Sequence, residues 1–460
     1  MPFPTADAPP AHETLHAPIV VVGAGMAGLT CAVALARAGR HVLVLEASDG
    51  VGGRVRTDRH RDGFLLDRGF QVLLEAYPAV RRQVDIDELR PRPFDAGALV
   101  WTGRRLVPLA DPLRHPAATV RDLTSPVVGA RDAARLAAFG ARARLAGWET
   151  AAEAAGQGAE DRSSLDELRA RGFSESFIDR FARPFWGGIL LTPALETSAG
   201  TLRFTTKMFL RGRGILPEAG MQALSEALSR RLPMGAIRLN RPAEAVVLRD
   251  GRVAGVQVGG RGQGEVVPAS AVVVATDPPT ARRLTGVELI PVDGLPSTTI
   301  YLTNRRPDGP PPPLGRRLTL DGTGKLVVNT LAPLSRVAPS YAPAGRHLLS
   351  AVVLGEWAEN PDDEAVSRRA RDDSAQMMGH DPAEWEVIGI VRVPFSQFAQ
   401  PPGIYGRLPS VRTPTAGLYL ASEATVDSSY NGAITSGEAA AAALLRDVPK
   451  AGTGGRLGAR

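Results

Sequence analysis

One segment near the start of the chain, Ile19–Thr57, constrains the fold more than any other. Its first four residues, Ile19–Val22, form an apolar run typical of a buried parallel strand. They lead directly into glycines at G-x-G-x-x-G spacing, Gly23, Gly25 and Gly28. Such a turn lets a helix pack closely on the strand and offers its N-terminal N–H groups to a pyrophosphate. The segment therefore predicts a βαβ unit that binds a dinucleotide.

An acidic residue after the second strand narrows the choice of nucleotide. The strand predicted at His41–Leu45 ends at Glu46. Its carboxylate can accept hydrogen bonds from the hydroxyls of an unphosphorylated ribose, which disfavours NADP. A βαβ unit without a ligand is the alternative interpretation. The cofactor-binding residues predicted in this unit are Gly23, Gly25, Met26, Ala27, Gly28, Glu46 and Ala47.

The following segments resemble a known family. Gly52–Thr57, with the sequence GGRVRT, is similar to the G-G-R-x-x-T element of the flavin amine oxidase and phytoene desaturase superfamily. Asp67–Phe70 is similar to its D-x-G-x pair, and Gly417–Glu423 followed by Tyr430–Gly437 is similar to its C-terminal signature. Arg241–Val246 resembles its adenine-side strand, so that the likeness spans nearly the whole chain.

The resemblance implies FAD as the cofactor, held in a glutathione-reductase-like domain. It implies that Arg54 lies near the diphosphate, that Glu423 bonds the ribityl chain, and that the helix starting near Ala433 points at the pyrimidine end of the flavin. The cofactor-binding residues added by the resemblance are Gly53, Arg54, Gly69, Phe70, Ala243, Glu423 and Ala433. The only cysteine, Cys31, lies far from Phe395–Gly403, where a thioether to the flavin would be expected, so we expect non-covalent FAD.

The resemblance also implies a discontinuous domain organisation. We predict an α/β fold with a Rossmann-like FAD-binding domain, built on a parallel sheet, and an inserted α+β substrate domain with an antiparallel sheet. The predicted ranges are 18–75, 216–283 and 417–445 for the FAD domain, 76–215 and 284–416 for the substrate domain, and 1–17 and 446–460 for flexible tails.

Periodicity and turn residues predict the elements of the substrate domain. They are a hairpin at Ala98–Leu109, helices at Ala130–Leu145, Ser164–Phe181 and Asp363–Met377, and strands at Thr298–Thr303, Leu326–Asn329, Leu348–Gly355 and Glu386–Val393.

Composition is typical of a globular protein and excludes several classes. The 460 residues are 44% hydrophobic and 22% charged, and one cysteine allows no intrachain disulfide. The net charge of +6 comes from arginines scattered along the chain, so we expect no nucleic acid partner. Histidines do not fall at metal-ligand spacing, and we expect no metal. We expect a cytoplasmic protein of undetermined oligomeric state.

One cationic and apolar segment, Arg203–Arg211, leaves two interpretations open. It can rest on an anionic membrane surface, giving peripheral contact, or form a helix half buried in the core, which is favoured.

The predicted substrate class depends on a lysine that one segment of the chain lacks. An amine oxidase of this superfamily would carry a lysine on a strand of the second insertion, yet Ser297–Asn304 contains none, and Lys325 follows a predicted hairpin turn. We therefore expect hydride abstraction from an apolar molecule, as in phytoene desaturases, with oxygen, a quinone or another acceptor reoxidising the flavin. Amine oxidation is the alternative, and a prenyl-lipid-binding escort protein that uses no flavin is the alternative of another class. No catalytic side chain is identified.

Overall fold

The computed structural model describes residues 9, 14, 17–110, 125–156, 161–259 and 264–448. Most of the two predicted tails lies outside these residues. So do Gly260 and Gly262, which with Gly264 are predicted to belong to a charged hairpin and not to a second dinucleotide turn. The strands, in chain order β1 to β20, are Ile19–Val22, Val42–Leu45, Thr57–Arg59, Leu65–Asp67, Leu73–Leu74, Pro91–Pro93, Ala98–Trp101, Leu106–Leu109, Gly214–Pro217, Ile237–Arg238, Ala243–Arg249, Arg252–Val258, Glu265–Pro268, Ala271–Val274, Gly294–Asn304, Leu318–Asp321, Val328–Ala332, Leu348–Val353, Trp385–Phe398 and Leu418–Leu420.

The α-helices are numbered in the same way. In chain order α1 to α14 are Met26–Arg37, Pro78–Gln83, Ala130–Leu145, Ala151–Ala155, Ser164–Ala170, Glu175–Phe177, Arg183–Leu190, Ala199–Arg211, Ala223–Ser229, Pro278–Thr285, Leu334–Val337, Glu356–Glu359, Asp363–Met378 and Tyr430–Asp447. A π-helical turn, Ile178–Ala182, joins α6 to α7.

The first large sheet is parallel, with strand order β10-β2-β1-β14-β20. Strand β1 lies at its centre, where Val20 pairs with Leu43 on one side and Val272 on the other. Its four side chains are all buried, because helices or strands cover both faces of such a sheet. Every strand of this sheet comes from the ranges predicted for the FAD domain.

The second large sheet is mostly antiparallel, with strand order β19-β15-β18-β17-β16-β7-β8. The predicted hairpin is present as β7 and β8, and Gly103 in its turn has φ +87°. An unpredicted feature is that β7 pairs in parallel with β16, so that the hairpin extends the sheet of the second insertion. The predicted α/β fold with one parallel and one antiparallel-rich sheet is confirmed, whereas the domain boundaries stay a prediction.

Two predicted elements are wrong in detail. The single helix predicted at Ser164–Phe181 is interrupted after α5, where Gly172 adopts φ +79°. Ser174 then begins a new helix, and its hydroxyl accepts a hydrogen bond from the N–H of Phe177. The strand predicted at Leu326–Asn329 begins only at Val328, because the N–H groups of Leu326 and Val327 donate to buried carboxylates instead of to a neighbouring strand.

A buried ion cluster stabilises the helices of the first insertion. Glu167 on α5 is fully buried and lies within 3.0 Å of guanidinium nitrogens of Arg162, Arg171 and Arg203. Burial alone would raise the pKa of the Glu167 carboxyl, but the hydrogen bonds from Arg203 and Arg171 outweigh it and lower the pKa to about 2.

The cationic and apolar segment Arg203–Arg211 forms most of α8 and lies largely in the interior. Phe204 and Met208 are at most 2% exposed, and the ammonium group of Lys207 donates to the carbonyl of Trp148. This agrees with a helix half buried in the core, and membrane contact stays a prediction. Among the described residues, no helix combines the length and apolar character needed to cross a bilayer.

Candidate functional site

The glycines of the first turn differ in their surroundings: two are closely packed and one faces open space. Gly23 has φ +103°, and a Cβ there would lie 2.7 Å from the carbonyl oxygen of Ala275, while a Cβ on Gly28 would collide with the carbonyl of Gly23. A Cβ on Gly25 would meet nothing within 4 Å. Gly25 is also the N-cap of α1, so the open space lies where the first N–H groups of the helix, those of Met26, Ala27 and Gly28, have no partner within the helix.

Glu46 is held rigidly at the end of β2. One carboxylate oxygen accepts a hydrogen bond from Ala24 N, 2.8 Å away, inside the glycine turn. The other accepts from the N–H and the hydroxyl of Ser48, at 2.9 and 2.7 Å. Ala47, between them, is exposed. Glu46 is 8% exposed, and after these three hydrogen bonds its carboxylate has one lone-pair site left for a ribose hydroxyl.

The second glycine pair lies directly beside the first turn. Gly52 N donates to the carbonyl of Ala24 at 2.8 Å, and a Cβ on Gly53 would meet only Gly25 Cα, at 3.6 Å. Two segments separated in sequence therefore border one backbone-lined space, which suits a group as narrow as a pyrophosphate.

Arg54 and Glu423 meet across 369 residues of sequence. A guanidinium nitrogen of Arg54 donates to a carboxylate oxygen of Glu423, and another donates to the carbonyl of Ser396 at 2.8 Å. The resemblance implied separate roles for the two side chains; the structure brings them together as an ion pair at the same edge of the site, with Arg54 34% exposed and Glu423 7% exposed.

Asp67 fixes the position of the next predicted contacts, Gly69 and Phe70. Its buried carboxylate accepts hydrogen bonds from the hydroxyls of Thr57 and Tyr341, at 2.5 and 2.9 Å, and from Met221 N. Burial raises the pKa of this carboxyl to about 6. The carboxylate thus joins segments that are far apart in sequence just before the chain turns at Gly69, where φ is +94°.

Phe70 connects the cofactor side to the antiparallel sheet. Its N–H donates to the hydroxyl of Thr299, 2.9 Å away on β15. Thr299 was not predicted as a site residue, and a single buried threonine in a strand gives no local signal for such a contact. Next to Phe70, the amide of Gln71 donates to the carbonyl of Arg54 at 2.8 Å and accepts from the hydroxyl of Tyr430. Tyr430 is the first residue of α14.

The remaining predicted contacts lie on two further elements. Ala243 begins β11, directly after a segment in which Arg241 N donates to the carbonyl of Glu46 at 2.8 Å. Ala433 lies in the first turn of α14, which is capped by the hydroxyl of Ser429. Helix α14 packs tightly on α1, since a Cβ on Gly437 would collide with the carbonyl of Ala27. The predicted contacts of all these residues with FAD stay predictions.

The backbone N–H of Lys325 is bound within its own turn, to Asp321 and Thr323. Lys325 is exposed in the turn between β16 and β17, where its N–H donates to Asp321 at 3.0 Å. The prediction of a solvated turn lysine is therefore confirmed. The residue of strand β15 that contacts Phe70 is Thr299, not a lysine.

An apolar cavity of about 200 Å³ is lined by residues that include Val72, which follows Phe70 and Gln71 in the sequence. Elements of both insertions line it: α3, α7, α8 and strands β7, β8 and β16. Aromatic rings form part of the wall, with Phe181 stacked on Phe185 at 5.2 Å between centroids and Phe209 at 5.4 Å from Phe185. A larger groove of about 720 Å³ is polar and lies against Arg37, at the opposite end of α1 from the glycine turn.

Comparison with known proteins identifies the family. The sequence profile of flavin-containing amine oxidoreductases matches residues 26–445. An L-amino acid oxidase of Bothrops pictus is 44% identical over 77 residues, and this match spans only 16% of each protein. A second L-amino acid oxidase, of Crotalus durissus cumanensis, is 63% identical over 46 residues, or 10% of this chain and 9% of the relative.

Solved structures share the fold over nearly the whole chain. An oxidoreductase from Methanosarcina mazei has a TM-score of 0.69 at 18% identity and covers 93% of this chain and 99% of its own. A putrescine oxidase has a TM-score of 0.68 at 19% identity, with coverage of 94% and 99%. The resemblance predicted from the sequence is confirmed, and with it the class of flavin-dependent oxidoreductases: the chain belongs to the family of flavin-containing amine oxidoreductases.

Proposed function

We propose that this chain binds FAD non-covalently and uses it to take a hydride from an apolar small molecule, in a dehydrogenation similar to that of phytoene desaturases. The observation that carries the proposal is the apolar, aromatic cavity whose lining includes Val72, two positions after Phe70 in the sequence. Bound FAD would accept the hydride at N5. The substrate would give a hydride to the flavin and a proton to solvent as a C–C bond becomes C=C. Oxygen, a quinone or another acceptor would then take two electrons and two protons, giving hydrogen peroxide, a quinol or the reduced acceptor.

The open space beside Gly25 supports the fit of the cofactor, because a Cβ on Gly25 would meet nothing within 4 Å and a Cβ on Gly53 would meet only Gly25 Cα. The N-terminal N–H groups of α1 would bind the diphosphate, and Glu46 would bind the ribose. Non-covalent attachment is supported by Cys31, the only cysteine, which is buried in α1.

The chain's own residues have a limited task in such a reaction. The Thr299 hydroxyl and the Gln71–Tyr430 hydrogen bond fix the backbone around Phe70. The aromatic wall of the cavity orients an apolar substrate and excludes water, which prevents side reactions of the cofactor.

Oxidation of an amine is the second candidate, favoured by the family and by neighbours described as a putrescine oxidase and a cyclohexylamine oxidase. Against it stand the exposed Lys325 and the lack of a lysine on β15. A non-catalytic lipid-binding escort protein is supported less, because Glu46, Arg54 and Glu423 are all present.

Anaerobic reduction of the bound flavin separates the two enzymatic candidates. We expect apolar olefins, presented in detergent or liposomes, to bleach the flavin faster than primary or secondary amines do. Ala137→Leu, which narrows the cavity, should slow reduction by the olefin about tenfold or more, whereas Ala138→Leu, exposed on the same helix, should not. Rapid bleaching by a simple amine, with no effect of Ala137→Leu, would favour amine oxidation.

A further inference from the structure

A pair of serine hydroxyls lies next to segments that are predicted to contact FAD. Ser297, near the start of β15, and Ser396, near the end of β19, approach each other to 2.7 Å between their Oγ atoms. The carbonyl of Ser396 is the group that accepts the hydrogen bond from Arg54, at 2.8 Å. Both serines are half-buried and are not enclosed in the core.

The alternation of side chains along β15 shows where the hydroxyl of Ser297 points. From Ser297 to Thr299 the register with β19 is regular, so these two side chains lie on the same face of the sheet. On that face the hydroxyl of Thr299 accepts the hydrogen bond from Phe70 N. Thr298 points to the opposite face, where its hydroxyl donates to the carbonyl of Ala358 at 2.7 Å. Ser297 therefore faces the side of the sheet that carries the predicted flavin contact.

Two further contacts place the pair between the predicted flavin turn and the cavity. Val393 lies opposite Ser297 in the β15–β19 pair, and its Cγ2 atom would be 3.4 Å from a Cβ on Gly69. Gln397, the residue after the second serine, donates from its amide to the carbonyl of Ile189 at 2.8 Å. Ile189 belongs to α7, which lines the apolar cavity. The hydroxyl pair is thus bordered on one side by the predicted flavin turn and on the other by the cavity helix.

The protons of the pair can be assigned from its hydrogen bonds. A serine hydroxyl has one proton to donate and two lone pairs to accept with. The hydroxyl of Ser396 donates to the carbonyl of Val393 at 3.1 Å, so the 2.7 Å bond between the two hydroxyls uses the proton of Ser297. Within the described part of the chain, the hydroxyl of Ser297 has no other hydrogen bond. It therefore presents free lone pairs, and it acts as an acceptor.

We propose that the hydroxyl of Ser297, oriented by Ser396, accepts a hydrogen bond from the N–H that bound FAD gains at N5 when it takes the hydride. N5 of the oxidised flavin carries no proton to donate, so this hydrogen bond stabilises the reduced cofactor selectively. The inference rests on the proposed function only in that FAD must bind, and it holds for any substrate.

The midpoint potential of the bound flavin tests the proposal without turnover. It is measured by anaerobic reduction against a reference dye, for the unmodified protein and for Ser297→Ala. We expect Ser297→Ala to reduce the preference for reduced over oxidised FAD about threefold to tenfold. For a two-electron couple this lowers the potential by about 15 to 30 mV. Ser396→Ala, which frees the Ser297 hydroxyl to rotate, should lower the potential by a smaller amount.

Two matched variants separate the hydrogen bond from a structural effect. Ser297→Thr keeps the hydroxyl and should retain the potential of the unmodified protein. Thr298→Val removes a hydroxyl of the same strand from the opposite face, and it should leave the potential unchanged. If Ser297→Ala does not lower the potential, or if Thr298→Val lowers it equally, the hydrogen bond is refuted while the proposed function stands. If the unmodified protein binds no FAD, the inference and the proposed function fail together.

A measurement on the unmodified protein covers the case in which Ser297→Ala does not fold. The protein is loaded with FAD that carries 15N at N5, and the cofactor is then reduced. The proton on N5 should resonate downfield of its position in a reduced flavin dissolved in an aprotic solvent, because an acceptor binds it. If the resonance shows no downfield displacement, N5–H has no acceptor and the inference is wrong.

Discussion

Glu46 is the side chain whose replacement most directly tests the predicted ribose site. In the structure its carboxylate accepts three hydrogen bonds from the chain itself, from Ala24 N, Ser48 N and the Ser48 hydroxyl. Alanine would leave all three donors without this acceptor and would remove the proposed bond to the ribose. A hydrogen bond to a charged group contributes about 1.5 to 3 kcal/mol, so the loss of even one such bond to the cofactor weakens binding by about tenfold to a hundredfold.

The assay is retention of FAD by Glu46→Ala after dilution and gel filtration, followed by titration of the apoprotein with FAD. Ser48→Ala is the control, because it removes one donor and keeps the carboxylate; its FAD affinity should change less than that of Glu46→Ala. Glutamine at position 46 should also weaken binding, since its amide nitrogen would face the N–H of Ala24 or Ser48. If Glu46→Ala kept stoichiometric FAD through dilution and filtration, the assignment of Glu46 to the ribose would be wrong.

Three further predictions concern stability, the turn lysine and the nicotinamide nucleotides. Folding lowers the pKa of Glu167 from 4.5 to about 2, so Glu167→Gln should lower the free energy of unfolding by about 3 kcal/mol at pH 7. This effect should be present above pH 4.5 and should be lost as the pH falls toward 2. Urea denaturation across this pH range measures it, and Glu175→Gln at an exposed ion pair is the control, which should change stability little. Lys325→Met should change stability by no more than about 0.5 kcal/mol and turnover by less than about twofold, and loss of flavin reduction by orders of magnitude would contradict the exposed position of this lysine. NADH and NADPH should not bleach the flavin rapidly in anaerobic stopped flow, since Gly264, the described member of the set Gly260, Gly262 and Gly264, lies directly before β13 of the β12–β13 hairpin. Bleaching within the dead time at micromolar nucleotide would overturn this.

The sequence predicts the elements whose stabilising contacts are close in the chain. The strand, glycine turn and helix from Ile19 to Arg37 follow from local periodicity and spacing, and so does the hairpin β7–β8 with Gly103 in its turn. The resemblance to a family supplies the distant pieces, including Arg54 and Glu423, although not their ion pair.

Contacts between distant segments leave no local pattern and are therefore missed. The parallel pairing of β7 with β16 joins two insertions that nothing in either strand links in advance. Thr299 contacts Phe70 only because strand β15 passes the turn that follows β4, and Trp186 lines the cavity only because α7 packs beside α3 and α8. The interruption of the helix predicted at Ser164–Phe181 had a visible signal, Gly172, but the bond from Ser174 N to Asp132 that accompanies it is again long-range.

The visible absorption spectrum of the purified protein tests the cofactor assignment most directly. We expect the bands of an oxidised flavin, about one FAD per chain, and complete release of the FAD on acid or heat denaturation, as non-covalent binding requires. A protein that shows no flavin band, and that gains none after incubation with excess FAD, would contradict the proposal and would favour the lipid-binding escort alternative.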